Sequence, residues 1–133
     1  MKREKRHNVF ISFDYDNDLQ LKEGLIGQSR NDNSPFEVAD FSMKEAAPQS
    51  KWRAEARRRI SRCSVVIVMC GRHTDQAPGV SAEITIAREI GKPYFLLRGY
   101  SKWTCVKPKG AKASDKMYNW TWKNLELLLD GRR

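Results

Sequence analysis

The chain has 133 residues, enough for one domain with a real hydrophobic core. With 25 Lys and Arg against 16 Asp and Glu it carries a net charge of +9, which points to anionic partners such as nucleotides, nucleic acid or a membrane surface, or to a basic solvated face. Cys63, Cys70 and Cys105 share no C-x-x-C spacing, Cys63 and Cys70 read as core thiols of a reducing compartment, and no run has the length of a membrane span, so the expected location is cytoplasmic.

A basic extension, residues 1–7, precedes "NVFISF" (Asn8 to Phe13), whose apolar run has the length of a strand and not of a signal peptide. "DYDNDLQLKEGLIGQ" then reads as a turn and a helix with Leu19, Leu21, Leu25 and Ile26 inward. After the loop "RNDNSP" comes a second strand, "FEVADF" (Phe36 to Phe41), and a second loop, Ser42 to Ser50. Ser50 is placed to cap "KWRAEARRRISR", whose Trp52, Ala56 and Ile60 form a stripe at i, i+4, i+8. "SVVIVMCG" (Ser64 to Gly71) is almost wholly apolar, as a strand covered on both faces should be.

"APGVSAEITIAREIGKP" (Ala77 to Pro93) reads as a helix that Pro78 opens and Gly91 closes. Val80, Ile84, Ile86, Ala87 and Ile90 share one face, and Glu83 falls inside the same arc. A fourth strand, "PYFLLRGY", follows, then a basic loop at 101–114 with a short edge strand expected at Trp103 to Val106. The last element is a helix over 115–130, capped by Asp115, with Tyr118, Trp122, Leu125 and Leu129 inward and Gly131 at its end.

This alternation predicts a parallel sheet with helices on both faces, and hence a ligand site beyond the carboxyl ends of the strands. Several chemistries are excluded there. No G-x-G-x-x-G, Walker A or G-x-S-x-G motif occurs, the first strand is followed by "FDYDND" where a phosphate loop would need small residues, and no aspartate ends the third strand. His7 and His73 have no partners at ligand spacing, so no metal is expected. What remains is a set of strand-end residues facing Glu83: Ser12, Asp14 and Tyr15 after the first strand, and Arg72, His73, Thr74 and Asp75 after the third. Each has a plainer role. Asp14 and Asp16 suit a turn, His73 suits a loop hydrogen bond, and Glu83 suits a buried pair with Arg98.

Taken together, "VFISFDYDND", "SVVIVMCGRHT" and "GVSAEITIAREIGKPYFLL" resemble the TIR-like family of bacterial defence proteins, including the TIR component of Thoeris anti-phage systems, over roughly residues 8 to 100. The opening V-F-I-S-[YF] strand matches Val9 to Phe13, and the family's glutamate in the helix after the third strand matches Glu83. The resemblance implies a single TIR-like domain over 1–133, with a flavodoxin-like three-layer α/β fold around a mostly parallel sheet of four or five strands. It implies NAD⁺ as substrate, with no separate cofactor, and Glu83 as the catalytic residue cleaving the nicotinamide–ribose bond. Substrate contacts are expected from Ser12, Phe13, Asp14, Tyr15, Gly71, Arg72 and His73. It also implies self-association through the loop at 42–50, and an ADP-ribose-derived messenger, linear or cyclic, for a separate effector. One departure stands out: where enzymatic members carry W-x-x-x-E, this helix has Gly79.

A carboxylate suits that chemistry because the ribose gains oxocarbenium character as its base departs, and a nearby negative charge in a low-dielectric cleft steadies it. Basic residues of "KWRAEARRRISR" and "KPKGAK" are candidates for the pyrophosphate, beside backbone N–H groups at helix starts. Two rival readings use the same residues. "SAEITIAREIGKP" also resembles the glutamate helix of nucleoside deoxyribosyltransferases, and a TIR-like adaptor would signal by assembly without catalysis. Trp52 and Trp103 lie among basic residues, but no DNA- or RNA-binding motif accompanies them, so nucleic acid is not expected.

Overall fold

Strands form where the β-branched and aromatic runs lie: β1 (His7–Ser12), β2 (Phe36–Phe41), β3 (Val65–Cys70) and β4 (Tyr94–Arg98). The computed structural model describes residues 6–44 and 49–133. Helices α1 (Leu19–Ser29), α2 (Gln49–Ser61) and α3 (Pro78–Glu89) alternate with these strands, followed by β5 (Met117–Asn119) and α4 (Trp122–Leu129). All pairings are parallel and the sheet order is β2-β1-β3-β4-β5. The chain steps from β1 outward to β2, then crosses back to β3, so the order reverses between β1 and β3.

Strand periodicity divides the core into two layers. Val9, Ile11 and Phe13 pack with Val65, Ile67, Met69, Phe95 and Leu97 against Leu21 and Leu25 of α1 and Leu125, Leu128 and Leu129 of α4. Phe10, Val66, Val68, Cys70 and Leu96 face the other way, against Trp52, Ala56 and Ile60 of α2 and Val80, Ile84, Ile86 and Ala87 of α3. The inward stripe expected for α2 is the one observed. In α1, Leu19 is 43% exposed, because only Leu21 and Leu25 point squarely at the sheet.

The N- and C-terminal thirds differ from expectation in detail. His7, assigned to the basic extension, opens β1 and pairs with Phe36, while Arg6 donates to the carbonyl of Ser29, the last residue of α1, and to those of Asn31 and Asp32 just beyond it. Ser50 does not cap α2, since it lies within that helix's first turn. No strand forms at Trp103–Val106; the edge strand is β5, fourteen residues further on. Asp115 is not the cap of α4 either. Its Oδ2 accepts from the Tyr94 hydroxyl (2.7 Å) and the Lys112 N–H (2.8 Å), and Thr121 caps α4 by accepting from Asn124 N–H (3.0 Å).

The β4–β5 connection contains no helix. Gly110 sits against α3 instead, its N–H donating to Ser81 Oγ (3.0 Å) and its carbonyl accepting from Arg88 (2.7 Å). A Cβ on Gly110 would lie 2.7 Å from the Ser81 carbonyl oxygen, so only glycine allows this approach. No described helix is long and apolar enough to cross a membrane.

Candidate functional site

Glu83 is fully buried. Pro78 fixes the first turn of α3, and Gly91, at φ 73°, turns the chain out of it. The apolar arc of the helix then seats on the sheet and carries Glu83 with it. Ser12 belongs to the even-numbered residues of β1, whose side chains face α3, and its hydroxyl donates to Glu83 Oε1 at 2.7 Å. Ser42, just beyond β2, donates to the same oxygen at 2.6 Å. The Ser42 hydroxyl also accepts from the Phe13 N–H at 3.1 Å, and its own N–H donates to the Ile11 carbonyl at 2.9 Å. Two hydroxyls from adjacent strand ends thus converge on one carboxylate oxygen, the arrangement expected around an acceptor-only group.

The other strand-end residues divide into three groups. The Phe13 ring is on the opposite face of the sheet, in the α1 layer, stacked on Tyr15 at 5.8 Å; only its backbone faces Ser42. Asp14 forms a turn, accepting from Asp16 N–H and the Asn17 amide, and Tyr15 is exposed. Gly71 is buried against Asp18, where a Cβ would fall 2.3 Å from Oδ2. Arg72 and His73 are exposed at the end of β3, and the Arg72 guanidinium lies 5.0 Å from the Trp103 ring centre. Thr74 is buried, accepting from the Gly71 N–H at 2.7 Å.

Asp18, not among the residues expected at the site, precedes α1 and lies against Gly71 after β3 and Tyr100 after β4. It is 3% exposed; Oδ1 accepts from the Tyr100 hydroxyl at 2.8 Å, and Oδ2 has no hydrogen-bond partner among the described residues. Burial pushes its carboxyl above the usual range; the Tyr100 hydrogen bond opposes the shift, Asp14 adds to it, and His73 reduces it. Ser42 likewise has no expected role beyond opening the loop after the second strand. The available signal was its position: like Ser12, it is the first hydroxyl at the end of a predicted strand.

Three of the four arginines of α2 are committed elsewhere. Arg57 pairs with Glu89, Arg58 with Glu55, and Arg59 with Glu55 and Asp40, which removes these three from the pyrophosphate candidates, while Arg53 lines a hollow beside Lys109 at the start of α3. Residues 45–48 of the expected assembly loop lie outside the described residues.

The helix after the third strand delivers an acid to the carboxyl rim of a doubly wound, all-parallel α/β layer, an architecture consistent with a TIR-like protein. The family profile described as the Thoeris protein ThsB, TIR-like domain, matches residues 10–103, and the chain belongs to that family. No curated protein matches the chain. The family match places it among the TIR-like proteins of Thoeris anti-phage defence.

Proposed function

We propose that this TIR-like protein cleaves the nicotinamide–ribose bond of NAD⁺, with Glu83 stabilising the developing ribosyl cation. The observation that carries this reading is the convergence of Ser12 and Ser42 on Glu83 Oε1 at the carboxyl end of the sheet. A buried carboxylate held by hydroxyls is arranged as a ribose diol would find it, with donors at hydrogen-bond distance from one oxygen. In the reaction the C1′–N bond breaks heterolytically and its electron pair neutralises the nicotinamide nitrogen. Water captures the ribosyl cation, releasing a proton, to give ADP-ribose; capture by an adenine nitrogen gives a cyclic product instead. Either product is the messenger read by a separate effector.

Glu83 is closed off from solvent, so the substrate's hydroxyls have to replace one serine. Ser12 is the last residue of β1 and pairs with Val68 of the central strand β3, whereas Ser42 lies beyond the end of edge strand β2. Ser42 is therefore the group that yields, and assembly through the loop that it begins is the event that moves it. The same closure favours a second reading, a non-enzymatic adaptor that signals by assembly, as does Gly79 in place of tryptophan.

The decisive experiment compares nicotinamide release and product nucleotides, by mass spectrometry, from phage-challenged cells expressing the parental protein or Glu83→Gln. The parental protein should consume NAD⁺ and the variant should not. Equal consumption by both removes Glu83 from the chemistry, and no consumption by the parental protein leaves the adaptor reading.

A further inference from the structure

The loop after β4 holds an exposed indole in a fixed place. Trp103 is 50% exposed, yet the loop around it is tied down at both ends: Gly99 N–H donates to the Cys70 carbonyl (2.9 Å) and Val106 N–H to the Gly71 carbonyl (2.9 Å). Between these anchors, the buried Cys105 thiol donates to the Tyr100 carbonyl (3.4 Å), and the Tyr100 hydroxyl reaches Asp18 (2.8 Å). Single exposed apolar residues are ordinary on protein surfaces. This one is different because of its company. The Tyr100 ring lies 4.9 Å from it, tilted by 56°, the Arg72 guanidinium lies 5.0 Å from its centre, and Gly99, Tyr100, Ser101, Lys102 and Trp103 line a hollow of about 250 Å³.

We propose that Trp103, with Tyr100, Arg72 and Lys102, forms a subsite for the adenosine diphosphate half of a dinucleotide. A rigid aromatic face is a stacking surface for a base, which costs little ordering because the loop is already anchored. Arg72 and Lys102 are exposed cations beside it, and a guanidinium resting on an exposed ring is weakly held, free to turn its fork to a phosphate. The placement also suits one ligand spanning both sites. From β1, which carries Ser12 to Glu83, through β3 to β4, which leads into Trp103, is two strand spacings, about 10 Å. This subsite rests on the NAD⁺ reading for the identity of the ligand's other half only; its own chemistry, a base to stack and phosphates to pair, is independent of Glu83.

The test is calorimetric titration of the intact protein with ADP, with tripolyphosphate and with a short single-stranded oligodeoxynucleotide. ADP should bind, and Trp103→Ala and Arg72→Ala should each weaken it about tenfold or more, the loss of one stacked base or one paired phosphate. Trp103→Phe, which keeps a ring, should stay within about threefold of the parental protein, and circular dichroism should show all variants folded. No ADP binding, or binding indifferent to Trp103, overturns the proposal. So does tripolyphosphate binding as tightly as ADP, which would mark only a surface attractive to anions. Oligonucleotide binding tighter than ADP, lost in Trp103→Ala and steeply salt-dependent, would overturn it in favour of nucleic acid. Trp103-dependent ADP binding without any NAD⁺ cleavage would keep the subsite and sink the proposed reaction; cleavage with an unchanged KM in Trp103→Ala would do the reverse.

Discussion

Ser42 Oγ lies 2.6 Å from Glu83 Oε1, joining the residue just past an edge strand to a helix forty-one residues on. The same hydroxyl accepts from the Phe13 N–H, so one small side chain ties together the end of β2, the end of β1 and α3. A contact of this kind is both a structural tie and a latch over the carboxylate.

Replacing that hydroxyl separates the two roles. Ser42→Ala leaves the buried Phe13 N–H without its acceptor and should cost about 1–3 kcal/mol in urea-unfolding free energy. At the same time it removes the group that the substrate must displace, so nicotinamide release without phage challenge should rise above the parental level. A variant that is destabilised and also less active in both states would show Ser42 to be a positioning group and not a latch.

Asp18 makes stability depend on pH. Its folded-state carboxyl titrates above the ordinary value of 3.8, so the stability linked to its proton is present below 3.8 and lost as pH rises through the folded value. Asp18→Asn removes that loss. Chemical denaturation should therefore find the variant gaining on the parental protein between about pH 4 and neutrality, never the opposite.

Gly71 lies against the same carboxylate. A methyl group there would meet Oδ2 at 2.3 Å and Oδ1 at 2.6 Å, and Asp18 is tethered by Tyr100, so it has little room to retreat. Gly71→Ala should destabilise by about 1–3 kcal/mol, the usual cost of overpacking. Adding Asp18→Ala should recover most of it; a strictly additive double variant would mean that the strain lies elsewhere.

The buried thiols should be silent in the folded state. Burial pushes Cys63 up to about 11 and Cys70 to about 12, and all three cysteines are free and buried. Near pH 8 the native protein should take up almost no iodoacetamide at Cys63 and Cys70, and both should label on unfolding, read by peptide mass spectrometry. Because both values are raised above the ordinary 9.0, their protonated state supports folding below pH 9 and that contribution is lost only in strong alkali.

Much of the architecture was legible because it depends on local periodicity. The apolar run of β3, the Trp52–Ala56–Ile60 stripe, and the Pro78 start and Gly91 stop of α3 are each set by neighbours within a turn or two. So was the odd placement of Glu83 within an apolar arc, which needs only the angle per residue. The failures were also local signals, but ones overruled by pairing. Met117–Asn119 reads equally well as the first turn of a helix, and becomes a strand because β4 offers it an open edge. Asp115 looks like a cap and is taken instead by Tyr94 and Lys112.

By itself the sequence determined the strands and helices from β1 to β4, their parallel class, and that a carboxylate would be carried toward the core, since these follow from spacing along the chain. Only the tertiary structure decided what meets that carboxylate. Ser12 and Ser42 reach Glu83 across seventy-one and forty-one residues, and Arg72 meets Trp103 with α3 and β4 between them in the chain. Those meetings depend on strand order and on which face each strand end presents, quantities that arise when the sheet assembles and that no stretch of chain contains alone.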